Sequence, residues 1–233
     1  MSREHVFPQW LSRIGSRVGN YTMRRGDKII TTPLIEVVTK RVCVECNTGW
    51  LSRIEAGAKA VLEPLLEVST DTITETDRWI IARWFTKTML TAHLALVARS
   101  SSGILDVRGC RNFYEKPLPV NNGVIFISGY RGPLLPIAFE MIEITGSEGR
   151  GFRVFFQFHH LVLTGFVAEP DKLVTFSWPQ NFHTAAHMMS PSQRGLLGNG
   201  DPTLPLSWPP PYVLDQAGVE FLLQTMRKSP EQP

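Results

Sequence analysis

Glu4-His5 near the start of the chain, and Cys43-Val44-Glu45-Cys46-Asn47 further on, supply side chains able to act on a phosphodiester. A histidine with a near-neutral pKa takes a proton from water and makes a nucleophile. A carboxylate and an asparagine carbonyl are hard oxygen ligands suited to Mg²⁺ or Mn²⁺. Such an ion neutralises phosphate charge and stabilises the leaving oxygen. The Cys-x-x-Cys turn fixes the second group of residues, typically by helping to hold a zinc. Strand geometry sets one condition. Adjacent strand residues point to opposite faces, so Glu4 and His5 share a site only at a strand end or bend.

The elements that must position these residues can be read in part. Glu4 to Pro8 reads as a short extended piece ended by the proline. Residues 15–28 are rich in Gly and Arg and read as a loop or excursion. Ile29 to Thr39 leans to strand, with a break at Pro33. After the cysteines, Trp50, Leu51, Ile54, Ala58, Val61, Leu62 and Leu65 recur at helical spacing, and Pro64 is expected to kink or end that helix. Thr74 to Asp77 forms a capping start for a long helix with Ile81, Trp84, Phe85, Thr88, Met89 and Ala92 on its core face.

From residue 104 the pattern turns to β. Val124 to Tyr130, Ile137 to Thr145, Phe152 to Val167 and Leu173 to Trp178 are rich in Val, Ile, Phe and Thr. His159 and His160 read as one core and one surface residue of a strand. Asp215 is placed to cap a last helix. The fold class expected is α+β: a small N-terminal unit over residues 1–68, then a helix and a mostly antiparallel sheet over 69–233, packed as one body.

At 43% hydrophobic and 19% charged, the chain has material for a globular core. Three cysteines, two of them in a Cys-x-x-Cys, favour a metal or redox role over a disulfide scaffold and point to the cytoplasm. A thioredoxin-like redox site would need a βαβ context that is absent here. Arg78, Arg83, Lys87 and His93 interrupt the longest apolar helix, which excludes a membrane span. Residues 1–60 hold ten Lys or Arg against five Asp or Glu, a net of +5, whereas the remainder has fourteen against sixteen, a net of −2. A basic segment around a candidate site favours a polyanion, DNA or RNA, although the same charge also suits a solvated face.

Glu4-His5-Val6-Phe7-Pro8-Gln9-Trp10-Leu11 and Cys43 to Glu55 together resemble the HNH, or ββα-metal, nuclease family. The likeness is to a bacterial branch carrying Glu-His-Val-Phe-Pro-x-Trp-Leu and Cys-x-x-Cys-Asn-x-Gly-Trp-x-Ser-x-x-Glu. It implies a ββα fold and divalent-metal-dependent hydrolysis of DNA or RNA. It implies His5 as general base, with Glu4 and Asn47 as ligands of Mg²⁺ or Mn²⁺. Cys43 and Cys46 become half of a structural Zn²⁺ site. Arg3, Arg13, Arg24, Arg25, Lys40 and Arg41 are then the residues that meet phosphates.

Two departures matter. The family's upstream Cys-x-x-Cys has no counterpart before Glu4, and two thiolates do not close a zinc site. The middle asparagine of the family falls where Val37, Val38 and Thr39 stand. They motivate an alternative, a catalytically degenerate HNH-derived module that binds nucleic acid or protein. Glu4-His5 also has a plain reading as an ion pair, and the cysteines as small buried hydrophobes. His183 and His187 are spaced for a metal clamp only if helical and lack the His-Glu-x-x-His pattern. Trp178-Pro179 and Trp208-Pro209 read as packing and turn features.

Overall fold

Phe7 joins the beginning of the chain to the large sheet that follows. In the computed structural model its ring lies 5.1 Å from Phe156, 5.7 Å from Phe158 and 5.9 Å from Phe139. The structure describes residues 2–11, 21–25, 28–32, 37–96, 113–114, 123–143, 150–168, 187–189, 206–210 and 213–225. Arg13, Cys110, His183, and the expected strand at 173–178 lie outside the described residues.

The N-terminal unit is the ββα arrangement that the sequence predicts. Strand β1 (Ser2–His5) runs antiparallel to β4 (Val38–Val42), pairing Glu4 with Thr39 and His5 with Val38. A register irregularity lies between Ser2 and Glu4. Between the two strands the chain departs to form β2 (Tyr21–Arg25) and β3 (Lys28–Thr32). After β4 come a short helix α1 (Val44–Cys46), a wide π-type turn (Asn47–Leu51) kinked at Gly49, and helix α2 (Ser52–Leu66). Cys43 caps α1: Cys46 N–H donates to Cys43 Sγ at 3.0 Å. Pro64 does not end α2, which runs on to Leu66. Ser69 N–H then donates to Pro64 O at 3.0 Å, with Val68 at a left-handed φ of 53°.

β2 was unexpected in a stretch rich in Gly and Arg. It pairs antiparallel with β3 and parallel with β7 (Ile137–Glu143), so the excursion extends the large sheet. The other strands are β6 (Gly123–Gly129), β8 (Arg150–Phe158), β9 (Leu161–Ala168) and β10 (His187–Met189). Their order is β10-β6-β9-β8-β7-β2-β3, antiparallel except at β7-β2. The protein is α+β, as expected. His159 and His160 are the turn between β8 and β9 rather than strand residues: His159 is exposed at φ 54°, and His160 Nε2 sits 2.9 Å from Leu65 O.

Helix α3 (Glu75–Leu96) is wedged between the ββα unit and the sheet. Its start is fixed by Thr74 N–H donating to Asp77 Oδ2 at 2.9 Å and Asp77 N–H donating to Thr74 Oγ1 at 3.2 Å. The Phe85 ring packs 5.2 Å from Phe156 and Trp84 5.8 Å from it. Gly165 on β9 lets the helix approach, since a Cβ there would overlap the Phe85 ring. Ile81, Trp84, Phe85, Met89 and Ala92 are buried, so the predicted core face is the core face. Strands β5 (Thr72–Ile73) and β11 (Leu206–Ser207) form a small second pairing. Helix α4 (Gln216–Thr225) is capped by Asp215, whose Oδ1 accepts from Gly218 N–H at 2.8 Å. Among the described residues no helix is long and apolar enough to cross a membrane.

Candidate functional site

β1 ends at His5, and its alternation decides where Glu4 and His5 go. Glu4 turns inward and is 4% exposed, while Val6 and Phe7 continue into the core. His5 stays half-exposed. The two side chains of the motif therefore face different surroundings, as strand geometry requires.

What Glu4 meets is Lys87, from the middle of α3. Lys87 Nζ lies 2.5 Å from Glu4 Oε1 and 2.6 Å from Glu55 Oε1. It also donates to His5 O at 3.0 Å. The lysine is fully buried, and a buried ammonium is tolerable only with such partners. Glu55 belongs to α2, so one ammonium ties together β1, α2 and α3. The Glu4 contact is an ion pair that lacks the direction of a hydrogen bond, so Oε1 has no hydrogen-bond partner among the described residues. Burial pushes the Glu4 carboxyl above its ordinary range, against the pull of the Lys87 charge; Glu55 pushes it further up and His5 draws it down.

Asn47 serves the same strand from the other half-motif. Its Nδ2 donates to Ser2 Oγ at 2.9 Å and to Arg3 O at 3.1 Å, docking the wide turn on β1. Its Oδ1 has no hydrogen bond to a described residue. Cys43 and Cys46 are joined as a disulfide, with Cα atoms 5.2 Å apart. One helical turn between a cap residue and its third neighbour gives that separation, within the range disulfides use.

The donor chemistry does not fit the two metals that the resemblance implies. A divalent ion at Glu4 would have to displace Lys87, which already supplies positive charge there and has no exposed surface to retreat to. The hydrogen bonds of Asn47 go to Ser2 and Arg3, while Glu4 is held by Lys87. The disulfide leaves no thiolate for zinc at Cys43 and Cys46. Among the described residues no three His, Cys, Asp or Glu side chains gather as a metal site.

The basic residues divide. Arg3, Lys40 and Arg41 are exposed on the β1–β4 pair, where Arg3 falls between the register positions Ser2↔Val42 and Glu4↔Thr39. Arg24 and Arg25 are on β2, in the large sheet, away from this hairpin in topology. His187 pairs with Ile127 on β10.

Sequence reasoning misses Lys87, which sits among core residues and stands out in the sequence only as an interruption to a membrane span. A charged residue on the buried stripe of a helix was the available signal. Glu55 was part of the second motif without a role. Comparison with protein-family models, with curated proteins and with solved structures returned no match.

Proposed function

We propose that this chain is a nucleic-acid-binding protein built on an HNH-like ββα unit whose catalytic carboxylate site has become structural. The observation that carries the reading is the Lys87 ammonium between Glu4 and Glu55, which takes the place a divalent cation would need. The exposed Arg3, Lys40 and Arg41 give the hairpin a cationic face suited to a phosphate backbone, with DNA as the expected partner and RNA as the variant. A cytoplasmic location agrees with such a partner. Fluorescence anisotropy with a labelled duplex across a salt series tests it. Lys40→Gln with Arg41→Gln should weaken binding uniformly across sequences and reduce the salt slope by roughly 1 to 2. EDTA should change nothing. Unchanged affinity and slope in the double variant would overturn the hairpin as the DNA face.

The second reading is the metal-dependent endonuclease, with His5 as general base and Glu4 and Asn47 holding Mg²⁺ or Mn²⁺. It is favoured by the half-exposure of His5 and by an Asn47 Oδ1 that accepts no hydrogen bond from a described residue. It requires Glu4 to exchange Lys87 for the ion. Plasmid nicking that needs Mg²⁺ or Mn²⁺, and that both EDTA and His5→Ala abolish, would establish this reading in place of the first.

A further inference from the structure

A cleft of about 640 Å³ opens between α2 and α3, on residues that neither reading uses. Its size is that of an ordinary small-molecule site. Trp50, Arg53 and Gly57 contribute from the α2 side, Ile80 and Arg83 from α3, and Tyr114 from beyond it. The two helices present these residues by periodicity. Arg53 and Gly57 fall at i, i+4 on α2, and Ile80 and Arg83 at i, i+3 on α3, so each pair shares a helix face, while Trp50 enters from the wide turn before α2.

Two observations point to a ligand. Neither Arg53 nor Arg83 is paired with a carboxylate among the described residues, so two guanidinium groups border the cleft uncompensated. Tyr114 is 60% exposed although its ring lies 5.5 Å from Trp50, so an aromatic face stands open beside them. Gly57 leaves the floor clear: a Cβ there would meet only Ile80 Cγ2, at 4.0 Å.

We propose that this cleft binds a nucleotide, its base against Trp50 and Tyr114 and its phosphate on Arg53 and Arg83. Two uncompensated guanidiniums call for an anion, and Arg is the side chain whose fork matches phosphate. Indole and phenol rings accept any base by stacking. The site is separate from the Arg3–Lys40–Arg41 face. The nucleotide is either free or the unpaired unit of a strand, and in the latter case the cleft adds a single-strand contact to the proposed DNA binding.

Titration calorimetry on the whole chain tests this, with AMP, adenosine, inorganic phosphate and a ten-nucleotide oligo-dT as probes. AMP should bind roughly tenfold or more tightly than adenosine or phosphate alone. Arg83→Gln should lower AMP affinity roughly tenfold, the scale of one charge-assisted contact. Gly57→Leu, which fills the cleft from an open position, should abolish binding while the melting transition is retained. Lys40→Gln with Arg41→Gln should leave AMP binding unchanged, so failure of the DNA face and failure of the cleft are told apart. Binding of oligo-dT but not AMP, lost in Gly57→Leu, assigns the cleft to a strand. The proposal is overturned if neither probe binds, if phosphate binds as well as AMP, or if folded Arg83→Gln and Gly57→Leu bind like the wild type.

Discussion

Replacing Lys87 by Met removes the ammonium that holds β1, α2 and α3 together and keeps a chain of similar length in its place. Glu4, 4% exposed, is then left with no opposite charge, and His5 O loses a donor. Removing one partner from a buried ion pair costs about 3–5 kcal/mol. Glu55 softens the loss, because its side chain is 26% exposed and can be hydrated. For a chain of this length each kcal/mol moves the midpoint by about 2–4 °C, so Lys87→Met should melt roughly 6–20 °C lower at neutral pH.

The sign of the pH effect is specific. Glu4 already takes its proton above the ordinary value of 4.5, by burial, and Lys87 is what opposes that. Without Lys87 the folded protein binds this proton more tightly still, whereas the unfolded chain does not. Stability of the variant relative to wild type should therefore fall as pH rises from the ordinary Glu value through the raised one, and recover on acidification. Glu4→Gln in the Lys87→Met background should restore roughly 1–3 kcal/mol, a coupling expected of direct partners. Urea unfolding followed by circular dichroism at pH 5 and pH 7.5 measures all three proteins. A loss under about 1 kcal/mol at pH 7.5, or a loss that does not shrink at pH 5, refutes the claim that Lys87 neutralises a buried Glu4.

Other perturbations have equally definite outcomes. His93 is 1% exposed, has no hydrogen-bond partner among the described residues for either ring nitrogen, and its pKa is lowered to about 4 by burial. Stability should therefore fall between about pH 6.5 and 4, by as much as about 3 kcal/mol, and His93→Leu should flatten that dependence in acid melts. Dithiothreitol should cost about 2 kcal/mol or less, the scale for a loop as short as Cys43–Cys46, while chelators leave the urea midpoint unmoved; the opposite pattern would restore the zinc site. Gly57→Ala should stabilise by about 0.5–1 kcal/mol through helix propensity, whereas Gly165→Ala should destabilise by about 1–3 kcal/mol through overlap with Phe85; thermal melts separate the two signs. Val68→Gly should stabilise by about 1 kcal/mol, because a β-branched residue at a φ of 53° is strained there, and a lower midpoint would contradict that account.

The chain's local signals were read well where a single element satisfied them. The cap at Thr74 and Asp77, the core face of α3, the cap at Asp215, and strands β6 and β7 each follow from neighbours in sequence, whereas the single run expected over 152–167 is two strands joined by a turn at His159-His160. The alternation at Glu4-His5 was legible for the same reason, and it turned one side chain inward and one outward. Residues 21–25 were read as a loop because their strand is made by partners far along the chain: β7 supplies its parallel neighbour. Nor could spacing say whether Cys43 and Cys46 would hold a metal or each other, since one helical turn serves both. The decisive fact about the site was the least local. Glu4, Glu55 and Lys87 come from three elements spread over the first 87 residues, and each alone reads as an ordinary charge. Packing α3 against β1 and α2 buries them together, and burial leaves those charges no partners but one another. The sequence by itself therefore determined the main helices, their buried faces and the β-rich character of the second half. Only the tertiary structure decided that the carboxylate of the first motif faces a lysine.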